Sequence, residues 1–130
     1  MNKLAKGLTI AMAAVMLGGC VVSVGGNRGS SAESNWKQIE RENREAIAGL
    51  GDGMYIEEVR RRMGTPDFIE SFSRDDHTWE VLFYRTHRVT ADGKTTRDET
   101  TPLVFQDGFL VGRGESAWYE LTGRPLVGRP

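Results

Sequence analysis

The chain reads as an α+β domain: two N-terminal helices packed on one face of a three- to four-stranded antiparallel meander sheet. Three observations lead there. Apolar residues recur at helical spacing between Trp36 and Leu50, and again between Ile56 and Met63. From Phe68 onward, aromatic and β-branched runs are separated by polar turns, with Asp92-Gly93 and Asp107-Gly108 as hairpin signals. The two helical runs precede the run of β segments, and segregated order of this kind favours α+β over alternating α/β.

The first helix is expected to start after Ser34, whose hydroxyl can accept from the free N–H groups of a first turn. Trp36, Ile39, Ala46, Ile47 and Leu50 form its apolar stripe, with Asn43 interrupting it. Glu40 with Arg44, and Arg41 with Glu45, are spaced to pair across one turn on the other face. Gly49, Gly51 and Gly53 end the helix. A shorter helix fits residues 55–63, with Ile56, Val59 and Met63 inward and Glu57–Arg61 and Glu58–Arg62 as surface pairs. Gly64 supplies its C-terminal cap, and Pro66 prevents continuation.

Strands are expected at residues 68–73, 79–89, 94–106 and 109–112, with a helical turn near residues 116–121. A tight turn at Asp92-Gly93 sets the register: His87 opposite Asp98, Leu82 opposite Leu103, and Val81 opposite Val104. The second hairpin sets Phe105 opposite Leu110 and Val104 opposite Val111. Trp79, Val81 and Phe83 then point to one side and Leu82 and Tyr84 to the other, so both sheet faces are apolar. Two helices cover one face. The second needs its own cover: the Trp118–Tyr119 segment first, or a partner protein, or a second copy.

The chain has 130 residues, enough for one domain, and its net charge is −1 with acids and bases interspersed. No basic stripe points to nucleic acid. Two histidines and one cysteine leave little for a metal site, and no metal or other cofactor is expected. Asp75-Asp76-His77 lies between two strands, where polar turn residues belong. His87, between Arg85 and Arg88, reads as a cross-strand polar residue. There is no Gly-x-Ser-x-Gly elbow, and Gly112-Arg113-Gly114 lacks the Gly-Lys-Ser/Thr ending of a phosphate loop. The reading is of a protein that is not an enzyme. Arg60, Arg61 and Arg62 suggest an alternative, a small-ligand or lipid-headgroup binder, although two of the three have glutamates one turn away.

The N-terminus carries the most specific signal. Lys3 and Lys6 precede an apolar run at residues 8–17, and Gly18 and Gly19 precede Cys20, the only cysteine. A positive segment, a short apolar core and small residues before a cut make a secretory signal peptide, and the run is too short to cross a bilayer. Leu17-Gly18-Gly19-Cys20 resembles the lipobox of bacterial lipoproteins. The resemblance implies a signal peptide over residues 1–19, cleavage before Cys20, and lipid on its sulfur and amino group. Several acyl chains on one residue hold a protein firmly to a membrane. Val21, in place of the aspartate that would favour inner-membrane retention, implies the periplasmic face of the outer membrane. Residues 20–34, rich in Gly and Ser, read as a flexible tether, 35–122 as the domain, and 123–130 as a frayed tail.

The stretch Leu50-x-x-Gly53-Met54-x-x-x-Glu58-Val59-x-x-x-Met63-Gly64-Thr65-Pro66 resembles the helical part of the BamE/SmpA/OmlA lipoproteins. Trp79-x-Val81-Leu82-Phe83, Leu103-Val104-Phe105 and Gly108-x-Leu110 are similar to strands of that family. Tyr55 stands where the family has a capping Ser or Thr, and the charged 85–102 hairpin brings the chain closer to an uncharacterised lipoprotein family of unknown function. The resemblance implies a non-catalytic binding or scaffolding module that holds an envelope protein. The Cys20→Ala variant is expected to leave the membrane fraction on cell fractionation. Retention there without acylation would exclude the lipoprotein reading.

Overall fold

Each β run pairs with the next one along the chain. The computed structural model, which describes residues 28–127, is α+β with three helices and a four-stranded antiparallel sheet in the order β1-β2-β3-β4. The elements are α1 (Arg28–Ala48), α2 (Ile56–Met63), β1 (Phe68–Arg74), β2 (His77–Arg85), β3 (Thr100–Gln106), β4 (Phe109–Arg113) and α3 (Gly114–Thr122). A single 3-10 turn, Arg97–Glu99, precedes β3. The expected signal peptide, Cys20 and the ends of the tether and tail lie outside the described residues.

The helix α1 starts at Arg28, so its first turns occupy positions that composition assigns to the tether. Extending a helix already nucleated orders one residue per hydrogen bond gained, so low-propensity residues can join it at small cost. Downstream, Leu126 of the expected tail packs against a buried cluster. In the middle of α1, Ile39 is exposed while Glu40 is buried, so the inward stripe runs through Trp36, Glu40, Asn43, Ile47 and Leu50 instead.

Both sheet faces are apolar. One buried cluster gathers Ile47, Leu50, Ile56 and Val59 with Leu82, Tyr84, Leu103, Phe105 and Leu110. Burial pushes the Tyr84 hydroxyl up to about 12, and it donates to the Gly64 carbonyl at 2.9 Å, where α2 ends. The other cluster holds Val81, Phe83, Val104, Trp118 and Leu121. Its cover is α3, whose Trp118 ring meets Phe83 edge-on at 5.4 Å, while Tyr119 faces solvent. The helix stops at Gly123, which takes the left-handed conformation (φ 68°) and donates to the Tyr119 carbonyl at 2.7 Å.

The β2–β3 register is the expected one, with Leu82 opposite Leu103 and Val81 opposite Val104. The connection differs. The strands stop at Arg85 and Thr100, so His87 and Asp98 do not face each other across a ladder, and residues 86–99 form an irregular loop. The cause is Glu99, fully buried at the start of β3. It accepts from the Val89 N–H at 2.8 Å, the Thr90 N–H at 3.2 Å and the Thr96 N–H at 3.0 Å, with the Thr96 hydroxyl at 3.1 Å. A regular hairpin could not converge those donors on one carboxylate.

Arg85 is the buried cation between two acids. Its Nη1 lies 3.5 Å from Glu99 and its Nε 3.6 Å from Glu40, and Trp36 covers the guanidinium at 4.2 Å. Nη1 also reaches the Lys94 carbonyl and the Thr95 hydroxyl. Asn43 donates to the Arg85 carbonyl at 2.8 Å, and the Arg44 guanidinium to the Thr86 carbonyl. The polar interruption of the helix stripe is therefore the part of α1 that meets the end of β2.

Burial alone would raise the Glu99 carboxyl, but the N–H groups of Val89, Thr96 and Thr90 outweigh it and hold the group below the ordinary glutamate range. A lowered carboxyl supports the fold above its unfolded value, about 4.3, and that support is lost as pH falls through the folded value. Glu99→Ala is expected to cost about 3–5 kcal/mol in chemical denaturation, because it strands a buried cation and three N–H groups. Glu58→Ala, on an exposed helix pair with Arg62 at 3.0 Å, is expected to cost under ~1 kcal/mol. The acid-induced loss of stability below about pH 4.3 should be shallower in the Glu99 variant than in wild type.

Candidate interaction surface

The region that stands out is the β4 side of the face covered by α3. Asp107 and Gly108 form the β3–β4 turn, both with positive φ (52° and 89°), the conformation that Asp-Gly hairpins favour. The tight turn brings Gly108 under the Tyr55 ring; a Cβ there would sit 2.9 Å from Tyr55 Cε2. Tyr55 starts α2 without any side-chain cap, and its ring packs on Phe109 with centroids 5.7 Å apart. The position where a small capping residue is expected thus carries an aromatic group spent on a neighbouring strand.

Further along β4 the expected register breaks. Phe105 pairs with Leu110 as predicted, but Val104 pairs with Gly112, not with Val111. Val111 is the extra residue of a β-bulge, a device that re-aims side chains. The reason sits on α3: a Cβ on Gly112 would lie 2.8 Å from the Ala117 Cβ, so only glycine lets the helix approach there. The bulge leaves Val111 half-exposed beside Gly112.

Tyr55, Phe109 and Val111 are each about half-exposed, at 50%, 50% and 53%. Val111 lines a groove of about 270 Å³ together with Trp79, Val104, Gln106 and Leu121, with Arg74 and Glu120 as its charged residues. Arg74 is fixed in place: it donates to the Leu121 carbonyl at 2.6 Å and lies 5.9 Å from the Trp79 ring. On the far side of α3, a cleft of about 440 Å³ is lined by Glu70, Arg97, Trp118, Arg124, Leu126 and Val127. One short helix covers the middle of this face and leaves openings on both flanks.

The residues singled out for chemistry are placed elsewhere. His77 Nδ1 lies 2.6 Å from Asp107, whose other oxygen accepts the Thr78 N–H at 2.9 Å. The Thr78 N–H and then the His77 ring hold the Asp107 carboxyl below the ordinary aspartate range. The pair staples two adjacent hairpin ends and lines neither opening beside α3. Asp75 and Asp76 are turn residues with φ of 54° and 62°. His87 meets the Thr86 hydroxyl at 3.0 Å. Arg60 lies 3.9 Å from Glu80, Arg62 pairs with Glu58, and Arg61 donates to the Glu57 carbonyl. The three arginines are thus partnered, and only Glu58–Arg62 pairs by side chains as the spacing predicts; Glu40 is taken by Arg85 and not by Arg44. Among the described residues no group of His, Cys, Asp and Glu is arranged to hold a metal, and no helix is long and apolar enough to cross a membrane.

Two things were not read from the sequence. The Glu40–Arg85–Glu99 cluster had one local signal, the Thr96-x-x-Glu99 spacing of a capping box, which the structure forms. The Tyr55–Phe109–Val111 patch had none, since it depends on a bulge and on a contact between distant segments.

Residues 18–120 match the family described as Protein of unknown function (DUF3192). No curated protein and no solved structure gives a significant match to the chain.

Gly108→Ala is expected to lose about 1–2 kcal/mol, the cost of a left-handed conformation for an L side chain, and to displace the Tyr55 ring. Gly51→Ala is the control: its Cβ meets only a methionine side chain at ordinary van der Waals distance. Chemical denaturation measures both, and equal losses would contradict the placement of Tyr55.

Proposed function

We propose that this chain, which belongs to the DUF3192 family, is a periplasm-facing outer-membrane lipoprotein that serves as a non-catalytic protein-binding or scaffolding module of the cell envelope. One observation carries the reading. Tyr55, Phe109 and Val111 leave apolar and aromatic surface open on and next to β4, and Val111 opens into a groove whose charged residues are Arg74 and Glu120. Aromatic anchors with a charged rim are the composition of protein interfaces, and contiguous exposed apolar surface is uncommon without a partner. The patch is held by the Asp107-Gly108 turn and by the three backbone hydrogen bonds between residues 53–56 and residues 108–110, so little ordering is required on binding.

The anchoring half of the reading rests on Cys20 and its lipobox, and the envelope role on the resemblance to the BamE/SmpA/OmlA lipoproteins. On this reading α1 and α2 are the permanent cover of the Leu82–Leu103 face, and the partner takes the part of the other face that α3 leaves open. The partnered state of Arg60, Arg61 and Arg62 argues against the headgroup-binding alternative. Placement of the His77–Asp107 pair outside the openings beside α3 fits a protein without catalytic groups.

The test is site-specific photo-crosslinking in intact envelopes. A photoreactive side chain at Phe109 or Val111 is expected to give one discrete adduct, and one at Asp92, exposed in the 86–99 loop at the other end of the sheet, none. Phe109→Glu with Val111→Glu should reduce recovery of that adduct partner at least tenfold while leaving the Cys20 anchor intact. Equal adducts at all three positions, or none, would remove the patch as the binding surface.

A further inference from the structure

The opening on the β1 side of α3 differs in chemistry from the Val111 groove. Its volume, about 440 Å³, falls in the range of small-molecule sites, ~300–1,000 Å³. Trp118, Pro125, Leu126 and Val127 give it apolar walls, and Glu70, Arg97 and Arg124 are its charged residues.

Two buried side-chain donors in residues that line this cleft have no hydrogen-bond partner among the described residues: the Trp118 Nε1–H and the Arg97 Nε–H. A buried indole N–H ordinarily meets an acceptor, and one that does not calls for an explanation. Trp118 is 5% exposed and set edge-on against Phe83, so its N–H keeps its place. Both unmet groups are donors, so a molecule that completes the cleft brings acceptors.

The charges point the same way. Arg97 is neutralised by its ion pair with Glu70. Arg74, nearby, is held by the Leu121 carbonyl and Asp75 and is not counted. Arg124 is exposed, and its guanidinium has no hydrogen bond or ion pair among the described residues. Its main chain is fixed, because its N–H donates to the Thr122 hydroxyl at 3.2 Å. The cleft thus carries one positive charge in excess. A helix C-terminus ordinarily opposes an anion. Here the Trp118, Tyr119 and Leu121 carbonyls accept from the Thr122 hydroxyl, the Gly123 N–H and Arg74, which offsets that.

We propose that this cleft binds a small monocarboxylate with a compact apolar body. The carboxylate cancels the one excess charge by pairing with Arg124, whose planar fork matches it in two hydrogen bonds. It also brings the acceptors that the unmet donors of the wall require. An amine brings none, and a neutral molecule leaves the charge. The apolar body lies against Pro125, Leu126 and Val127. This cleft and the Val111 groove are on opposite flanks of α3, so the site stands whether or not a protein docks at the patch, and without lipid at Cys20.

The test is magnetic resonance of the purified full chain with nitrogen-15 in its three tryptophans. The Trp118→Phe variant identifies the Trp118 indole signal by its loss. Hexanoate and 3-phenylpropionate, one acyl and one aryl acid, are expected to move that signal saturably at millimolar concentration or below. The Trp36 and Trp79 signals should stay in place. Saturation with only one acid supports the site and assigns the body to that class. 3-Phenylpropionamide, the same body without the charge, should bind at least tenfold more weakly. So should 3-phenylpropionate to the Arg124→Gln variant, which is expected to melt at the unsubstituted temperature because Arg124 is exposed. The site is overturned by no saturation with either acid, by an amide as effective as its acid, by a shift common to all three indoles, or by undiminished binding to Arg124→Gln.

Discussion

Arg85 is the residue around which the domain is arranged. A buried guanidinium is tolerated only when acids and hydrogen-bond acceptors surround it. Here the acids come from opposite directions in the chain, Glu40 from α1 and Glu99 from the start of β3. Meeting that requirement explains three features at once. The helix carries Glu40 and Asn43 on its inward stripe. The strands of the β2–β3 pair stop at Arg85 and Thr100. The intervening loop folds back so that its N–H groups saturate Glu99. None of these is favourable alone; together they leave the cation no uncompensated charge.

The second constraint is a sheet apolar on both faces. One face belongs to the cluster that includes Ile47, Leu50, Ile56 and Val59. On the other, the only described helix is nine residues long and buries Trp118 and Leu121 over the middle. A helix of that length cannot cover a four-stranded sheet, so its flanks stay open. The bulge at Val111 and the glycine at 112 let α3 come close, at the expense of exposing a valine. The uncovered surface is thus a by-product of how the cover is seated, and on the proposed function it is the surface that a partner uses. Its rigidity comes from the same strand edge: the segment that closes the β4 edge also fixes Tyr55 over Gly108.

Much of this could be read from the chain. Helical spacing located α2 to within one residue at its start, and the Asp107-Gly108 pair located its hairpin, because both signals are local. The Leu82–Leu103 register followed from an assumed tight turn that is not there; the pairing is right because the apolar alternation of the two strands admits only that parity. The misses share a cause. Apolarity alone points Ile39 inward and Glu40 outward, whereas the buried position belongs to Glu40 because Arg85 lies opposite it. Regular alternation sets Val111 opposite Val104, and the bulge that sets Gly112 there adds a residue without any mark in composition.

By itself the sequence determined the α+β order, the two-sided apolar sheet and the turn at Asp107-Gly108, each written in residues close together. The tertiary structure alone decided which polar residues are buried and where apolar surface remains exposed. Glu40 and Arg85 carry no local signal of burial, and Glu99 carries only the spacing of a capping box, because most of the energy that permits burial comes from partners far apart in the chain. Tyr55 and Phe109 likewise form one surface only after residues 53–56 reach β4. Local pattern is set by neighbours along the backbone, whereas compensation of charge and coverage of a face are set by whatever the fold brings alongside.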